Sequence, residues 1–473
     1  MTETLSAPTA AAPAAPATHA PPTGALTHRP GRWIDGWDPE NPVQWEREGR
    51  RIASRNLRWS IFAEFLGFVV WQLWSIVVVA LPAAGFAFDT GQVFWLISIP
   101  ALVGATLRIP YTFMVPRFGG RNWTIVSAGL LLIPAIGLGI AVSNPETPFG
   151  VMLAIAALAG FGGGNFASSM ANITYFYPQR EKGWALGLNA AGGNLGASVA
   201  QFVVPIAITI GAAVTLNLPL AGWIWVPFIL VAMAGAAIGM DNLSNAKADV
   251  AASLAALREP HLWILAVLYI GTFGSFIGFA GVFPKLIADQ FPDFSAFHVG
   301  SATLSLAFMG ALVGSLARPY GGRLADRFGG TQITIAAFAV MALGALAVVW
   351  TLPLGNFWVF LGLFLVLFTA SGVGNGSTYR MIPTVFALRA GAHNAHESAG
   401  DVSSQRKSAA ALGIISAVGA YGGFVIPQLL GYSKTTFGDY TTGLGWFVWA
   451  YAGMLVLTAG VYLTLAKRSG HRI

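Results

Sequence analysis

Two arginines lie inside segments that are otherwise strongly apolar. Arg108 follows a long apolar run in "ATLRIPYTFMVPRFGGRNWTI" (105–125), and Arg318 lies near the end of a second such segment. A charge at the centre of a bilayer costs about 2.5–3.5 kcal/mol on insertion scales, so these residues should face a protein interior or a water-filled cavity. The planar guanidinium fork binds small planar or tetrahedral oxyanions through paired hydrogen bonds, which lysine does not provide. The pair therefore predicts a site for a small, weakly hydrated oxyanion.

Few protein anions are available to neutralise these two charges. Of the 19 Asp and Glu residues, only Glu64 falls within an apolar segment, and we expect it within two turns of the cytoplasmic end. No histidine lies deep in such a segment; His261 is the first residue of the segment 261–284. In the alternative interpretation each arginine is structural, either in a salt bridge or with its head group extended to the membrane surface. Because one carboxylate can offset only one arginine, we expect a bound anion to supply the counter-charge.

The composition identifies the class of protein that must hold these arginines. The chain has 473 residues, of which 55% are hydrophobic and 10% charged, whereas ordinary soluble proteins carry about 25% charged residues. A mean hydropathy of +0.65 predicts a polytopic membrane protein and excludes a soluble enzyme. There is no cysteine, so disulfides and thiolate metal sites are excluded, and we expect no cofactor.

Twelve segments are long and apolar enough to cross a bilayer, which needs about 20 residues each. They are 59–81, 92–114, 123–142, 150–177, 184–210, 221–240, 261–284, 299–319, 332–352, 357–379, 408–431 and 444–466. The sequence thus predicts an all-α membrane fold in two six-helix halves. The predicted units are a disordered, basic N-terminal tail (1–57), the first bundle (58–242), a linker (243–258), the second bundle (259–466) and a C-terminal tail (467–473).

Lys and Arg residues collect on one side of this predicted topology. With both termini in the cytoplasm, 22 of the 26 basic residues fall in the tails and cytoplasmic loops, and only Lys285 and Lys434 fall outside. This is the charge bias of a multi-pass protein with both termini cytoplasmic. The basic character is therefore a topology signal, and nucleic-acid binding is not expected.

The two halves repeat each other in sequence. Arg108-x9-Phe-Gly-Gly-x3-Thr-Ile recurs as Arg318-x9-Phe-Gly-Gly-x3-Thr-Ile, and "ALGLNAAGGNLG" (185–196) matches "ALGIISAVGAYG" (411–422) in its Ala-Leu-Gly and later glycines. Glycines at 160, 162 and 164 correspond to glycines at 372, 374 and 376. Two six-helix repeats with a site between them near mid-membrane are the pattern of the major facilitator fold.

A charged loop and several small-residue pairs support this interpretation. "GGRLADRFGG" (321–330) resembles the facilitator signature loop, with Asp326 and Arg327 in its Asp-Arg positions, so Asp326 is expected to latch a helix end. The first copy, "VPRFGGRNW", lacks the acidic residue. In the alternative interpretation, neither loop acts as a latch and each is only a solvated turn. The pairs Gly160/Gly164, Gly183/Gly187 and Gly192/Gly196 predict close helix packing.

Longer stretches resemble one family. "GFGGGNFASSMANITYFYP...GLNAAGGNLG" is similar to the nitrate signature of the nitrate/nitrite porter family within the major facilitator superfamily, and "GVGNGSTYRMIP...ALGIISAVGAYGGFVIP" resembles its second copy. The similarity runs from about residue 33 to 466 and is strongest to the bacterial nitrate/nitrite exchanger subgroup. It implies a monomeric transporter for nitrate assimilation in the bacterial inner (cytoplasmic) membrane. It also implies a nitrate or nitrite ion between Arg108 and Arg318, with the further binding residues Phe166, Phe273, Tyr269, Asn194 and Phe68; ordinary helix packing is the alternative for the aromatic residues.

The residues also favour one mode of coupling. Proton-coupled carriers place titratable groups in the pathway, and only Glu64, expected at the periphery, is available here. An empty site would leave two like charges in a closing cavity of low dielectric constant. We therefore predict anion exchange, with nitrate/proton symport through Glu64 as the alternative. A non-transporting anion sensor is a third class, but neither tail is long enough to predict a signalling domain.

Overall fold

Twelve long helices form the fold in the order that the sequence predicts. The computed structural model describes residues 26–210, 216–246, 250–389, 402–469 and 473. The helices are α1 Pro42–Ala80, α2 Thr90–Thr112, α3 Gly120–Ala141, α4 Phe149–Phe176, α5 Gln179–Thr209, α6 Leu220–Gly239, α7 Pro260–Gln290, α8 Phe308–Phe328, α9 Gly330–Leu354, α10 Phe357–Arg389, α11 Ala410–Phe437 and α12 Thr441–Arg468. A short helix, Val250–Leu257, precedes α7. Among the described residues, eleven helices are long and apolar enough to span a membrane, and α8, with its cluster of charges, is more polar.

Helix α8 begins later than the sequence predicts. The eighth segment was expected to be helical over 299–319, but β4 (Phe297–Val299) and β5 (Ala302–Leu304) form an antiparallel hairpin there. Gly300 adopts a positive φ of 62° in the turn, a conformation that glycine accepts without steric cost. The helix then runs on to Phe328 and stops at Gly329, whose φ is 97°, so Arg318 lies in the middle of α8.

The N-terminal segment is ordered from residue 26, so the prediction of a disordered tail up to residue 57 is wrong for residues 26–57. β1 (Thr27–Arg29) pairs antiparallel with β2 (Trp33–Asp35), and β2 pairs parallel with β3 (Asn242–Leu243), directly after α6. Helix α1 begins at Pro42, so it extends N-terminal to the predicted membrane segment 59–81. The composition of this segment did not predict its order, because contacts with residues far away in the chain hold it in place.

One buried carboxylate provides several of these contacts. Asp241, 4% exposed at its side chain, accepts hydrogen bonds from Arg32 (2.8 Å) and Arg55 (2.7 Å). Trp37 and Trp45 are buried beside it in a small apolar cluster. Three stretches assigned above to the tails and the linker, residues 1–25, 247–249 and 470–472, lie outside the described part of the chain.

Helix packing in the first six helices is repeated in the last six. Helix α1 packs against α5 and α2 against α4, and in the same way α7 packs against α11 and α8 against α10. Between the two sets, α1 contacts α7, α2 contacts α11 and α5 contacts α8. This arrangement agrees with the internal repeat and places α2 and α8, which carry the two arginines, at the boundary between the sets.

Two of the three predicted glycine pairs lie at helix contacts. Gly160 and Gly164 face α2, and Gly192 and Gly196 face α1. The prediction is wrong for Gly183 and Gly187, because a Cβ on Gly187 would meet nothing within 4 Å and one on Gly183 only the end of an arginine side chain, at 3.9 Å.

Candidate functional site: two arginines and a shared aromatic ring

Arg108 projects from α2 into the interior between α4 and α11. Its side chain is completely buried. Nε donates to the carbonyl of Gly163 (3.1 Å), and Nη1 donates to the carbonyl (2.9 Å) and the Oγ (2.7 Å) of Ser416. Nη2 is buried without a hydrogen-bond partner among the described residues. The protein thus occupies the Nε and Nη1 donors of the guanidinium and leaves the Nη2 group free for another acceptor.

Close contact between α2 and α4 makes this arrangement possible. A Cβ on Gly104 would lie 3.0 Å from the Cα of Gly163, a separation tighter than ordinary packing allows. The two backbones therefore approach closely, and the Gly163 carbonyl comes within reach of an arginine one turn further along α2. The sequence signal for this contact is the run Gly162–Gly163–Gly164.

Arg318 occupies the corresponding place on α8. It is 6% exposed, and its Nη2 lies 3.5 Å from the hydroxyl of Tyr269 on α7. Its Nη1 is buried with no hydrogen-bond partner among the described residues. Arg318 therefore makes fewer and longer protein contacts than Arg108, although the sequence repeat makes the two equivalent.

Phe166 brings the two guanidiniums together. The guanidinium carbon of Arg108 lies 4.5 Å from the centroid of the Phe166 ring, and that of Arg318 lies 5.7 Å from it. Phe273 is 5.0 Å from Arg108 and stacks on Phe166, with centroids 6.2 Å apart and planes at 26°. These are cation–π distances, so both charges and both rings surround one small volume.

The three other residues that the sequence analysis predicted for the site differ in their contacts. Tyr269 stacks on Phe273 with centroids 5.4 Å apart, and the π-helical turn Ile270–Gly274 follows it; such turns recur at functional sites. Asn194 on α5 is fully buried, and neither amide atom has a partner among the described residues. Phe68 packs against Phe166 in a T-shaped contact, with ring centroids 6.2 Å apart, and so helps to hold that ring in place.

Several neighbours were missed by the sequence analysis. Trp71 lies 5.5 Å from the guanidinium carbon of Arg108 and Tyr379 lies 5.5 Å from that of Arg318. Asn375 is 1% exposed, with no partner for its amide among the described residues. Its place within the glycine repeat, between Gly374 and Gly376, could have identified it. Ser416 has no comparable signal, because its role depends on how α11 meets α2.

Neither guanidinium forms an ion pair with a carboxylate in the described ranges. Glu64 on α1 interacts with both arginine charges, and its side chain is fully buried, which the sequence did not predict. Its Oε2 accepts hydrogen bonds from Ser169 and from Asn189 Nδ2, the latter at 2.7 Å. The sequence shows that Glu64 is in an apolar segment, but burial depends on which face of α1 packs against α4 and α5.

The signature loop forms an ion pair at a helix end. Asp326, near the end of α8, pairs with Arg380 on α10, and both side chains are about half exposed. Arg327 lies over the ring of Phe328 at 5.1 Å. In the first copy, which lacks the acidic residue, Arg121 Nε instead donates to the carbonyl of Ala237 (2.9 Å). The two loops therefore tie helix ends together by different contacts.

Together these groups can bind one small oxyanion. Two buried N–H groups on separate guanidiniums and the Tyr269 hydroxyl are donors, and the stacked rings provide flat walls. Buried donors without partners are uncommon in folded proteins. An anion that accepts from several directions would satisfy them together.

Comparisons with known proteins agree with this fold. The family model described as "Major Facilitator Superfamily" matches residues 63–427. A bacterial homologue of the human lysosomal transporter Spinster, solved in an inward-facing and occupied conformation, is similar with a TM-score of 0.59 at 16% identity, over 88% of this chain and 97% of that one. At this identity the likeness concerns the fold alone.

Relatives in sequence are more specific. The nitrate/nitrite transporter NarU of Escherichia coli K12 is 43% identical, over 90% of this chain and 95% of that protein. NarU of Salmonella typhimurium LT2 is 44% identical over 91% and 96%, and the probable nitrate/nitrite antiporter NarK2 of Thermus thermophilus is 38% identical over 87% and 92%. The chain therefore belongs to the major facilitator superfamily and, within it, to the nitrate/nitrite porter family of membrane transporters.

Proposed function

We propose that this protein carries nitrate and nitrite across the membrane, with the anion bound between Arg108 and Arg318. The observation that carries the proposal is that both guanidiniums lie over one ring, Phe166, and that each keeps one buried N–H group without a partner. The relatives at 43% and 38% identity are named for nitrate and nitrite.

Nitrate and nitrite fit the donors and walls of the site. Both are small planar anions, so they can lie flat against Phe166 while accepting hydrogen bonds at their edges from Arg108 Nη2 and Arg318 Nη1. The Tyr269 hydroxyl supplies a further donor. A sugar or a peptide would need a larger set of hydroxyl or carboxylate partners than these residues provide.

We infer that transport is exchange of one anion for another. With Glu64 ionised, the two arginines and the carboxylate leave one positive charge in the empty site, and a monovalent anion neutralises it. Closing an unneutralised charge away from water is costly, so the loaded carrier should change conformation more readily than the empty one. Burial of Glu64 also favours the second candidate, nitrate/proton symport, because a titratable group lies in the bundle after all.

The charge distribution supports a location for the protein. We propose a multi-pass protein of the bacterial cytoplasmic membrane that acts as a monomer, with both termini in the cytoplasm. The excess of Lys and Arg in the predicted cytoplasmic loops supports that orientation. The Asp326–Arg380 ion pair would then lie on the cytoplasmic side, where separation of helix ends opens the site to the cell interior.

Counterflow in proteoliposomes tests the function and separates its two forms. Vesicles loaded with nitrite or nitrate should take up labelled external nitrate rapidly, and vesicles without internal anion should take up little. Robust uptake into anion-free vesicles driven by an inward proton gradient would contradict exchange and support symport. No uptake under any of these conditions, from correctly folded protein, would contradict the proposed function.

A further inference from the structure

Two arginines on an open face of α1 have no partners within the described part of the chain. Arg51 and Arg58 are exposed, and neither forms a hydrogen bond or an ion pair with a described residue. Their neighbours Arg50 and Arg55 are paired with acidic residues. Because a helix turns once every 3.6 residues, side chains at this spacing lie on one face, about 10 Å apart along the axis. Two positive charges on one helix face are therefore available to an outside group.

Aromatic rings continue the same face deeper into the bundle. Phe62 and Phe65 lie one and two turns beyond Arg58, and both are partly buried. Their rings stack with centroids 6.5 Å apart and planes at 9°. Val69, one turn further along this face, is fully buried. The open face thus begins at the charged end of α1 and closes at Val69, about 16 Å beyond Arg58.

Helices α5 and α6 stand on either side of this face. Ile61 of α1 packs at Gly192 of α5, and Trp59 of α1 packs at Gly235 of α6. The two outer helices meet near the opposite end of the bundle, where Leu220–Trp223 contacts α5. At the charged end they leave α1 uncovered between them. We call this space the α1 groove, with α1 as its floor and α5 and α6 as its walls.

Exposed apolar side chains line both walls of the α1 groove. Leu188 on α5 and Val231 and Ile238 on α6 are all exposed. Val231 lies four residues before Gly235 and Ile238 lies three residues after it, so helical geometry places both beside the contact with α1. Leu188 stands in the same relation to Gly192 on α5. The groove is therefore apolar along its length and positively charged at one end.

An exposed aromatic side chain lies at the charged end. Trp184 on α5, one turn before Leu188, is exposed and contacts the ring of Tyr177, with centroids 6.4 Å apart. The charge of Arg58 in turn interacts with Tyr177. Tryptophan is enriched at the level of the lipid head groups. This end of the groove thus combines a head-group aromatic residue with two free guanidiniums.

We propose that the α1 groove binds one anionic phospholipid, with its phosphate at Arg51 and Arg58 and an acyl chain over Phe62 and Phe65. Guanidinium groups bind phosphate through paired hydrogen bonds. Basic pockets between membrane helices on the cytoplasmic side bind acidic head groups, and this end of the bundle is the one proposed above to face the cytoplasm. A neutral lipid would fill the apolar part equally well but would leave the two charges unneutralised. The lipid site is separate from the anion site between the two helix sets, and its test does not depend on nitrate.

Native mass spectrometry of the purified, delipidated full-length protein tests this proposal. The protein is titrated with phosphatidylglycerol and, separately, with phosphatidylcholine that carries the same acyl chains. We expect one phosphatidylglycerol to bind about five- to thirtyfold more tightly than phosphatidylcholine, because each arginine near an anionic head group contributes about fivefold in affinity. Equal binding of the two lipids to the wild type would overturn the proposal, and this comparison needs no variant.

A pair of double variants then locates the site. Arg51→Gln with Arg58→Gln should bind phosphatidylglycerol no more tightly than phosphatidylcholine. The matched control is Arg117→Gln with Arg323→Gln, which removes two other exposed arginines of the predicted cytoplasmic loops that form no ion pair with a described residue. The control should keep the wild-type preference. Equal loss of preference in both double variants would show attraction by net charge alone, and unchanged preference without Arg51 and Arg58 would place the lipid elsewhere; either result would overturn the site.

A soluble phosphate ester tests the contribution of the apolar floor. Glycerol 3-phosphate carries the phosphate without acyl chains, so it should not displace phosphatidylglycerol from the wild type at equal concentration. Displacement at equal concentration would show that the arginines bind phosphate without the groove, and it would overturn the assignment to a lipid.

Discussion

Arg108 and Arg318, 210 residues apart in the chain, lie over the same aromatic ring, 4.5 Å and 5.7 Å from the centroid of Phe166. Their protein contacts differ, however. Arg108 makes three hydrogen bonds to Gly163 and Ser416, and Arg318 makes one long hydrogen bond to Tyr269. The pair is therefore symmetric in sequence and asymmetric in its contacts: the protein holds Arg108 with more and shorter hydrogen bonds than Arg318.

Replacement of either arginine by lysine should reduce nitrate counterflow by about ten- to a hundredfold. Lysine keeps the charge but loses the fork, and one hydrogen bond to a charged group contributes about 1.5–3 kcal/mol. The rate is measured in proteoliposomes at equal protein content. Wild-type counterflow in Arg108→Lys or Arg318→Lys would contradict the binding assignment.

The two lysine variants should differ in stability. Arg108→Lys loses contacts that join α2 to α4 and α11, so we expect a lower thermal midpoint in detergent. Arg318→Lys loses only one long hydrogen bond and keeps a cation near the rings of Phe166 and Tyr379, so its midpoint should stay near that of the wild type. Equal destabilisation of both variants would show that Arg318 is held more firmly than its contacts indicate.

Phe166→Leu should weaken nitrate binding by at least about fivefold with little loss of folded protein. The variant keeps an apolar side chain but removes two cation–π contacts, each worth about 0.5–2 kcal/mol. Binding is measured by calorimetry. Phe360→Leu is the matched control, because Phe360 is equally buried but packs among Phe283, Phe291 and Phe364, and it should bind nitrate normally.

The Asp326–Arg380 ion pair should affect transport more than stability. Both side chains are about half exposed, and exposed pairs contribute about 0–1 kcal/mol. We expect Asp326→Asn to change the counterflow rate while the thermal midpoint moves little. The exchanged pair, Asp326→Arg with Arg380→Asp, should recover part of the wild-type rate; no recovery would argue against a latch made by this pair.

Asp241→Asn should destabilise the N-terminal segment. The change removes the shared partner of Arg32 and Arg55 at a buried position. Loss of one partner in a fully buried pair costs about 3–5 kcal/mol, and here we expect about 1–3 kcal/mol because the arginines are one-third exposed. The check is limited proteolysis near residues 26–41, which should become faster than in the wild type, while an unchanged cleavage rate would contradict the contact.

Much of the site was predictable because its signals are local. Arg108 and Arg318 were identified by charge in apolar segments, and the resemblance to the porter family indicated Phe166, Phe273 and Tyr269, which do converge on them. The burial of Glu64 was not predictable because it depends on how α1 packs against α4 and α5. The predicted start of α8 was wrong because the short hairpin before it contains apolar residues, which in sequence resemble the first turns of a membrane helix.

The sequence by itself determined the membrane class, the order of twelve helices, the internal repeat and the shortage of acidic partners for two arginines. These follow from hydropathy, periodicity and charge, which are properties of neighbouring residues. Only the tertiary structure decided that Phe166 lies under both guanidiniums, that Ser416 holds Arg108, and that Glu64 is buried with Ser169 and Asn189. Such contacts join helices that are far apart in the chain, and their geometry depends on how closely those helices pack, which no single segment encodes.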